Sequence, residues 1–456
     1  MAKVFIAFCN AVAKDTPSSL PCFYETFIKG LSDAGNTIMV EITNIWTFPG
    51  IQCPLDIANK IKKFNPDICF LFNNCFYDIS NIVECPIVIY EVDSFLYYQN
   101  KQVLYNNPNQ FYYLVFQTHS IDVLQQELHV KKSRICHVPF FTEVHAKKEP
   151  LVNNICFVGS KFTNGDQESV IHNFMLLNPN NDDKLQLKKC LEIIVQNPYA
   201  SVSDIEKTTG KLSDKVLTVI NSSYIVPYLS DVRRIKGLTS VTQLGLSLHG
   251  PKNWLNDLAY DNLPLSYNPQ YIFSLNDTEK LYNSHKIGIN INHIQATHGF
   301  GWRVADIMAS NACLVSEFKP DFKTVFPDVE IPLFYSIDEA YDVCKKLLDN
   351  ENMRLDIVAQ CQEIINKRYR VQNALQTIEE FIGVKLSSKN HSNDGRVIFL
   401  PIIKQKQSHF SVRLKQITNS FGLFISSLPP FSLIGNGKLQ TAFKKKVDKY
   451  IKITQD

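Results

Sequence analysis

Apolar residues in the first 140 positions come in short, nearly unbroken runs, separated by stretches in which apolar and polar residues alternate with helical spacing. The runs at 3–8, 37–43, 67–72, 86–93, 111–117 and 134–138 predict strands, and 22–34, 56–64 and 121–128 predict helices between them. Strand and helix in alternation predict a doubly wound parallel sheet, and runs without polar interruption predict strands covered on both faces. The pattern restarts at 154–160 after a polar joint flanked by Pro139 and Pro150, so a first domain of 1–149 and a second of 150–383 are expected. Within the second, residues 166–244 are polar and helix-prone and predict a helical insertion, with a strand signal only at 222–226. Strands are expected at 246–250 and 271–274, and helices at 277–285, 337–348, 353–369 and 372–382.

The most informative stretch runs from Ile287 to Glu317. An apolar run at 287–292 leads into His298-Gly-Phe-Gly-Trp-Arg, then a helical pattern carrying Val304, Ile307 and Met308, then a second apolar run at 312–316. Gly299 and Gly301 allow a sharp turn and close approach of backbone to a ligand. Strand, glycine turn, helix and strand form a βαβ unit whose helix N-terminus faces the crevice at the strand ends, a position suited to anions. Arg303 lies in the first helical turn and adds charge toward a diphosphate. Asp306, one turn on, has two acceptor oxygens that suit a ribose diol.

This segment resembles the donor motif of GT-B glycosyltransferases, written as Glu, seven residues, Glu, with His298 and Asp306 at the two acidic positions. The version with Trp302-Arg303 after the second glycine is similar to the group-1-like enzymes of the spore maturation protein CgeB family. The resemblance extends over 67–382, taking in 154–160, 248–254 and 281–291. It implies an α/β protein of two Rossmann-like doubly wound domains (GT-B) facing a cleft, with a helical insertion and a basic C-terminal extension. It also implies that 372–382 crosses back to the first domain, that a nucleotide sugar is the donor, and that no metal cofactor is required.

Glycosyl transfer requires neutralisation of the departing diphosphate, a grip on the sugar, and an acceptor hydroxyl at the anomeric carbon. Phe300, Gly301 and Trp302 offer backbone donors for the first, with Arg303 and Lys161 offering charge. Lys161 follows the Gly159-Ser160 turn, where the resemblance places a phosphate-facing basic residue. The alternatives are a solvated loop lysine for Lys161 and an internal ion pair for Arg303. His298 either bonds donor hydroxyls or phosphate, or caps its own turn. Glu91 and Asp93, ending a buried strand, and His119, after the next one, are candidates for a general base toward the acceptor. Each has a structural alternative as a cap or ion-pair partner. Tyr267 and Tyr271 are placed either near a nucleobase or in the core. Arg233, Arg234 and Lys236 suit a solvated helix face.

Composition narrows the setting. The chain has 456 residues, 45% hydrophobic and 20% charged, which suits two domains of a globular protein. The twelve cysteines include no C-x-x-C pair and predict packed, reduced thiols, not disulfides or zinc. Neither a signal sequence nor a membrane-spanning run is evident, so a cytoplasmic location is expected. The net charge of +3 is unevenly spread: from Val384 onward there are 13 Lys/Arg and 3 Asp/Glu, against 34 and 41 elsewhere. With the apolar stretch 421–434, this basic tail (384–456) predicts contact with an anionic membrane surface, and peripheral placement on the cytoplasmic face of the inner membrane. No nucleic-acid reader motif is present. The expected activity is glycosyl transfer to a glycan, lipid-linked or protein acceptor in surface polysaccharide, lipopolysaccharide or glycoconjugate synthesis. A non-catalytic nucleotide-sugar-binding subunit and a GT-B-fold epimerase are the alternatives.

Overall fold

A computed structural model describes residues 1–9, 20–43, 53, 55–73, 75–98, 101–162, 167–197, 200, 202–222, 225–256, 262–388 and 395–401. The membrane-binding expectation rests on a tail that lies almost wholly outside these residues, as does the apolar stretch 421–434.

The chain builds two parallel sheets. The first contains β1 (Lys3–Cys9), β2 (Thr37–Thr43), β3 (Ile68–Phe72), β4 (Ile87–Tyr90), β5 (Tyr112–Val115) and β6 (Ile135–His137). The second contains β7 (Asn153–Val158), β8 (Leu246–His249), β9 (Tyr267–Asn268), β10 (His285–Asn290), β11 (Cys313–Glu317) and β12 (Leu333–Phe334). A thirteenth strand, β13 (Arg396–Phe399), returns to the first sheet. The orders are β13-β2-β1-β3-β4-β5-β6 and β12-β11-β10-β7-β8-β9. Every pairing is parallel, with Val4 opposite Ile68 in the first sheet and Ile287 opposite both Ile155 and Cys313 in the second. Val4, Phe5, Ile6, Ala7 and Phe8 are all fully buried, because helices cover both faces of the sheet. This is the two-lobed α/β architecture of Rossmann-like domains.

Three local expectations change. The strand expected at 222–226 is replaced, at its described C-terminal end, by helix: the β-branched Ile225 and Val226 begin Ile225–Val241, whose buried residues face the second-lobe core and the insertion. Residues 271–274 are irregular, and the short edge strand is instead Tyr267–Asn268, pairing with β8. Residues 396–399, read as part of the basic extension, form β13 beside β2. The helix Val371–Ile382 does cross back, burying Val371, Ala374, Leu375 and Ile378 in the first-lobe core. The insertion consists of the helices Gln167–Leu176, Asn181–Gln196, Val202–Thr209 and Asp214–Ile220, packed with the start of Ile225–Val241 around a core of their own. Asn180 and Asp183 close the N-terminus of Asn181–Gln196 with reciprocal side-chain bonds. All twelve cysteines are free, with Cys69 and Cys85 having their sulfurs 3.6 Å apart. No helix among the described residues is long and apolar enough to cross a membrane.

The lobes meet along a polar and aromatic seam. The backbone N–H of Cys22 donates to Phe273 O at 2.8 Å, and Leu275 N donates to Glu25 Oε2 at 2.7 Å. Thr118 Oγ1 and N both donate to Asp321, at 2.5 and 2.9 Å. Trp302 of the second lobe stacks on Phe23 of the first, with centroids 5.6 Å apart, and meets Phe140 edge-on. Asp306 is 3% exposed, accepts from Thr142 Oγ1 at 2.6 Å, and has Cys22 Sγ at 3.9 Å. Its Oδ2 has no described partner.

Burial pushes the Asp306 carboxyl from 3.8 up to about 7, against the opposing pull of the Thr142 bond and Arg303. A carboxyl with a raised native pKa stabilises the fold fully below its unfolded value, and this contribution is lost as pH rises toward 7. Asp306→Asn should therefore melt with the parent near pH 4 and above it at pH 8, by at most about 4 kcal/mol. Thermal unfolding across that range checks this; a difference independent of pH would contradict it.

Candidate active site

The carboxyl ends of the two sheets face each other. In the second sheet the strand order reverses beside β7, flanked by β10 and β8, and the crevice at such a reversal is where open α/β sheets hold ligands. A cavity of about 170 Å³ lies there. From the second lobe it is lined by Ser160 and Phe162 after β7, by Asn290 to Asn292 at the end of β10, and by Gly301, Trp302 and Arg303. The first lobe contributes Val92 and Asp93 after β4, and Phe116 and Phe140.

The feature that dominates its electrostatics is Arg234, which the sequence reading placed on a solvated face. It is 5% exposed and lines this cavity. Its Nη1 donates to Ser160 O at 2.6 Å and its Nε to Ile291 O at 3.2 Å, while Phe162 lies 4.7 Å from the guanidinium carbon. These contacts hold the group in place without neutralising it. Burial, and then the charge of Arg303, lower its pKa from 12.5 to about 9. The neighbouring Arg233 is buried for another reason: it donates to Glu317 Oε1 at 2.5 Å and to Val195 O, tying the insertion to β11. Only Lys236 of this trio is partly exposed, paired with Asp338. The helix Ile225–Val241 is enclosed by the second sheet on one side and the insertion on the other, so its polar positions are not a solvent stripe.

Among the other expected donor-side residues, Ser160, Gly301, Trp302 and Arg303 line the cavity. Gly301 N donates to Asn292 Oδ1 at 3.3 Å, and a Cβ there would meet nothing within 4 Å. Gly299 is different: its Cβ would lie 2.6 Å from Gln117 Cβ, so only glycine lets the first lobe approach this closely. Gln117 Oε1 accepts from His298 N at 3.2 Å and from Gly299 N at 3.4 Å, so a first-lobe side chain already occupies two of the loop's amides. Phe300 is buried and stacks on Phe322 and Phe326, where it anchors the loop. His298 stacks on His119 with centroids 4.8 Å apart, at the seam outside the cavity lining. Burial and His119 lower the His298 pKa. Lys161 is 3% exposed and its Nζ bonds Asn253 O at 3.4 Å, outside the lining residues. Asp306 is sealed in the seam beside Thr142.

The three base candidates separate clearly. Glu91 is fully buried, bonded to Ser120 Oγ at 2.6 Å, and burial pushes its pKa to about 8, so it is a neutral acid at pH 7. His119 belongs to the stacked pair. Asp93 lines the same cavity as Arg234 and Arg303, from the other lobe. Asn73 Nδ2 and Gln295 Nε2 each donate to it at 2.8 Å, fixing both oxygens. Burial raises its pKa and these two donors oppose that rise. His293, a further lining residue, is lowered to about 3 by burial and by Arg234, so it is neutral. Asn290, Asn292, His293 and Gln295 were not singled out in the sequence; polar residues crowding the carboxyl end of an apolar parallel strand are the signal that points to them. Tyr267 donates its hydroxyl to Gly250 O at 3.1 Å, and Tyr271 is largely exposed. Among the described residues no group of three or more His, Cys, Asp or Glu is placed to hold a metal ion.

Residues 232–380 match the family model described as glycosyl transferase-like. No curated protein matches the chain. Among solved structures, sucrose-phosphate synthase from Thermosynechococcus elongatus is 8% identical, covering 84% of this chain and 98% of its own, with a TM-score of 0.52. Anabaena Alr3699/HepE, in complex with UDP and glucose, is 11% identical over 84% of this chain and 100% of its own, with a TM-score of 0.47. T4 phage BGT, in complex with UDP and Mn2+, is 13% identical over 84% and 99%, again at 0.47. The synthase shares the two-lobed fold, and the second lobe carries the glycosyl transferase-like match, with Arg234 and the 299–303 loop both inside it.

Proposed function

We propose that the chain is a GT-B glycosyltransferase of the group-1-like, CgeB-resembling kind, moving a sugar from a nucleoside-diphosphate donor to a hydroxyl of a glycan, lipid-linked or protein acceptor. The observation that carries this reading is the pair Arg234 and Arg303 lining one interlobe cavity, with the carboxylate of Asp93 entering from the opposite lobe. Two guanidinium groups supply the charge that a leaving diphosphate requires, and the low dielectric of the cavity strengthens that attraction. The charge of Arg303 adds to the lowering of the Arg234 pKa, so a bound anion relieves that repulsion. Asp93 accepts from two side-chain donors that favour its ionised form against burial, and in that form it suits removal of a proton from an acceptor hydroxyl as it attacks the anomeric carbon. The seam residues Gln117, Thr118 and Gln295 exclude water when the lobes are together, limiting donor hydrolysis. The acceptor would belong to surface polysaccharide, lipopolysaccharide or glycoconjugate synthesis.

Arg303→Ala and Arg234→Met should each weaken binding of uridine, guanosine or cytidine diphosphate, whichever the parent binds best, by roughly 10- to 100-fold. Calorimetry on folded variants reads this, and unchanged affinity in both would remove the diphosphate assignment. Asp93→Asn should leave diphosphate affinity nearly intact while lowering kcat by about 10²–10⁴. In the parent the rate should fall as pH drops through the Asp93 pKa, above the usual carboxylate range because of burial. Asp93→Asn should lose that acid limb. Diphosphate binding with no transfer or hydrolysis across a broad panel of nucleotide sugars would favour a binding subunit, and turnover of one nucleotide sugar without an acceptor would favour an epimerase.

A further inference from the structure

The insertion carries a second concavity, unrelated to the interlobe cavity and independent of the reading above. It measures about 640 Å³ and lies between the helices Gln167–Leu176, Asn181–Gln196 and Ile225–Val241. This is within the ~300–1,000 Å³ range of sites that hold small molecules. Its floor is apolar, formed by Phe174, Leu187, Leu191 and Val232 among others. Ile171 and Met175, on one wall, are 45% and 47% exposed, and Leu176 and Leu185, next in sequence to the lining residues Met175 and Lys184, are each 54% exposed. Several large apolar side chains exposed in and beside one groove mark an interaction site more often than a bare surface.

Its charge is one-sided. Lys184 and Lys188, one turn apart on Asn181–Gln196, line the groove with their stems and are exposed to solvent, and neither has a carboxylate partner among the described residues. Lys236 completes the basic lining and is paired with Asp338, while Glu192 is the one acid among the lining residues. Long lysine side chains that cover apolar surface while holding ammonium groups at its edge match an amphiphile with an apolar body and an anionic head. Spread of the apolar surface past the groove favours a bilayer interface over a single docked protein helix, because neighbouring acyl chains cover what one helix would leave wet.

We propose that this face of the insertion binds an anionic phospholipid surface, with an acyl chain in the groove and headgroup phosphate on Lys184 and Lys188. The contact is separate from anything the basic tail contributes. A tail contribution is common to all variants of the full chain, so a difference between them reports on the groove.

The test is sedimentation of the full-length protein with phosphatidylglycerol/phosphatidylcholine vesicles. Lys184→Glu/Lys188→Glu, and separately Met175→Glu, should lower partitioning by about tenfold or more. Lys346→Glu/Lys367→Glu, the same change of charge as the lysine pair at exposed positions elsewhere, should stay close to the parent. Melting temperatures of all variants should match, since every substituted side chain is exposed; the lysine pair serves alone if Met175→Glu destabilises the fold. The lysine-pair effect should vanish with phosphatidylcholine vesicles, and millimolar inorganic phosphate should not displace the protein. Equal partitioning of the lysine-pair variant and Lys346→Glu/Lys367→Glu would overturn the proposal. So would displacement by inorganic phosphate alone, or an acidic amphipathic peptide that binds the parent and not the variants while vesicle binding stays equal.

Discussion

A guanidinium group withdrawn from water and left without a carboxylate bonded to it is expensive to maintain, and Arg234 is in that position. Two carbonyl oxygens and an aromatic face hold it, and Arg303 across the cavity adds repulsion. The surrounding structure is arranged around that constraint. Ile291 and Ser160 end adjacent strands and direct their carbonyls at the group. Arg233, one residue earlier, is paired with Glu317 and fixes the helix that carries both. Adjacent arginines thus differ: one is bonded to a carboxylate, and the other has only carbonyl oxygens bonded to it, with Asp231 and Glu317 acting at longer range.

The second constraint is the seam. Polar bonds from Gln117, Thr118 and Ser94 reach across to the second lobe, and Trp302 inserts into the aromatic core of the first. The glycine loop is therefore shaped partly by the opposite lobe: Gly299 is small because Gln117 presses on it. Separation of the lobes frees the amides of His298 and Gly299, so the loop's hydrogen-bonding capacity depends on closure. Asp306 belongs to the same seam, and its carboxyl is pushed toward the neutral form by burial, against the bonds from Thr142 and Cys22.

The parallel lobes were legible because strands buried on both faces leave unbroken apolar runs, as in Val4–Phe8 and Ile287–Ile291. The βαβ unit around Gly299 and Gly301 was legible because its turn chemistry and helix pattern are local. What sequence could not supply was which side of a helix meets another element. Arg234 lies in a stretch whose charges suggest solvent, and only the packing of the insertion over it reverses that reading. Lys161 illustrates the opposite case: a basic residue after the right turn, directed by Asn253 away from the cavity. Ser222–Val226 misled because β-branched residues at the start of a helix look the same as a short strand until tertiary contacts decide between them.

The placement of β13 has a consequence for how the molecule is made. The first lobe is discontinuous, since its sheet gains an edge strand, and the helix Val371–Ile382 against its core, only after the whole second lobe has been translated. A ribosome-bound chain thus presents β2 as an open parallel edge while hundreds of residues are still to come. Such an edge invites pairing with foreign strands. Pairing along Thr37–Val40 covers that edge, so the late strand acts as a closing stitch, and its loss would leave the first sheet with that border exposed.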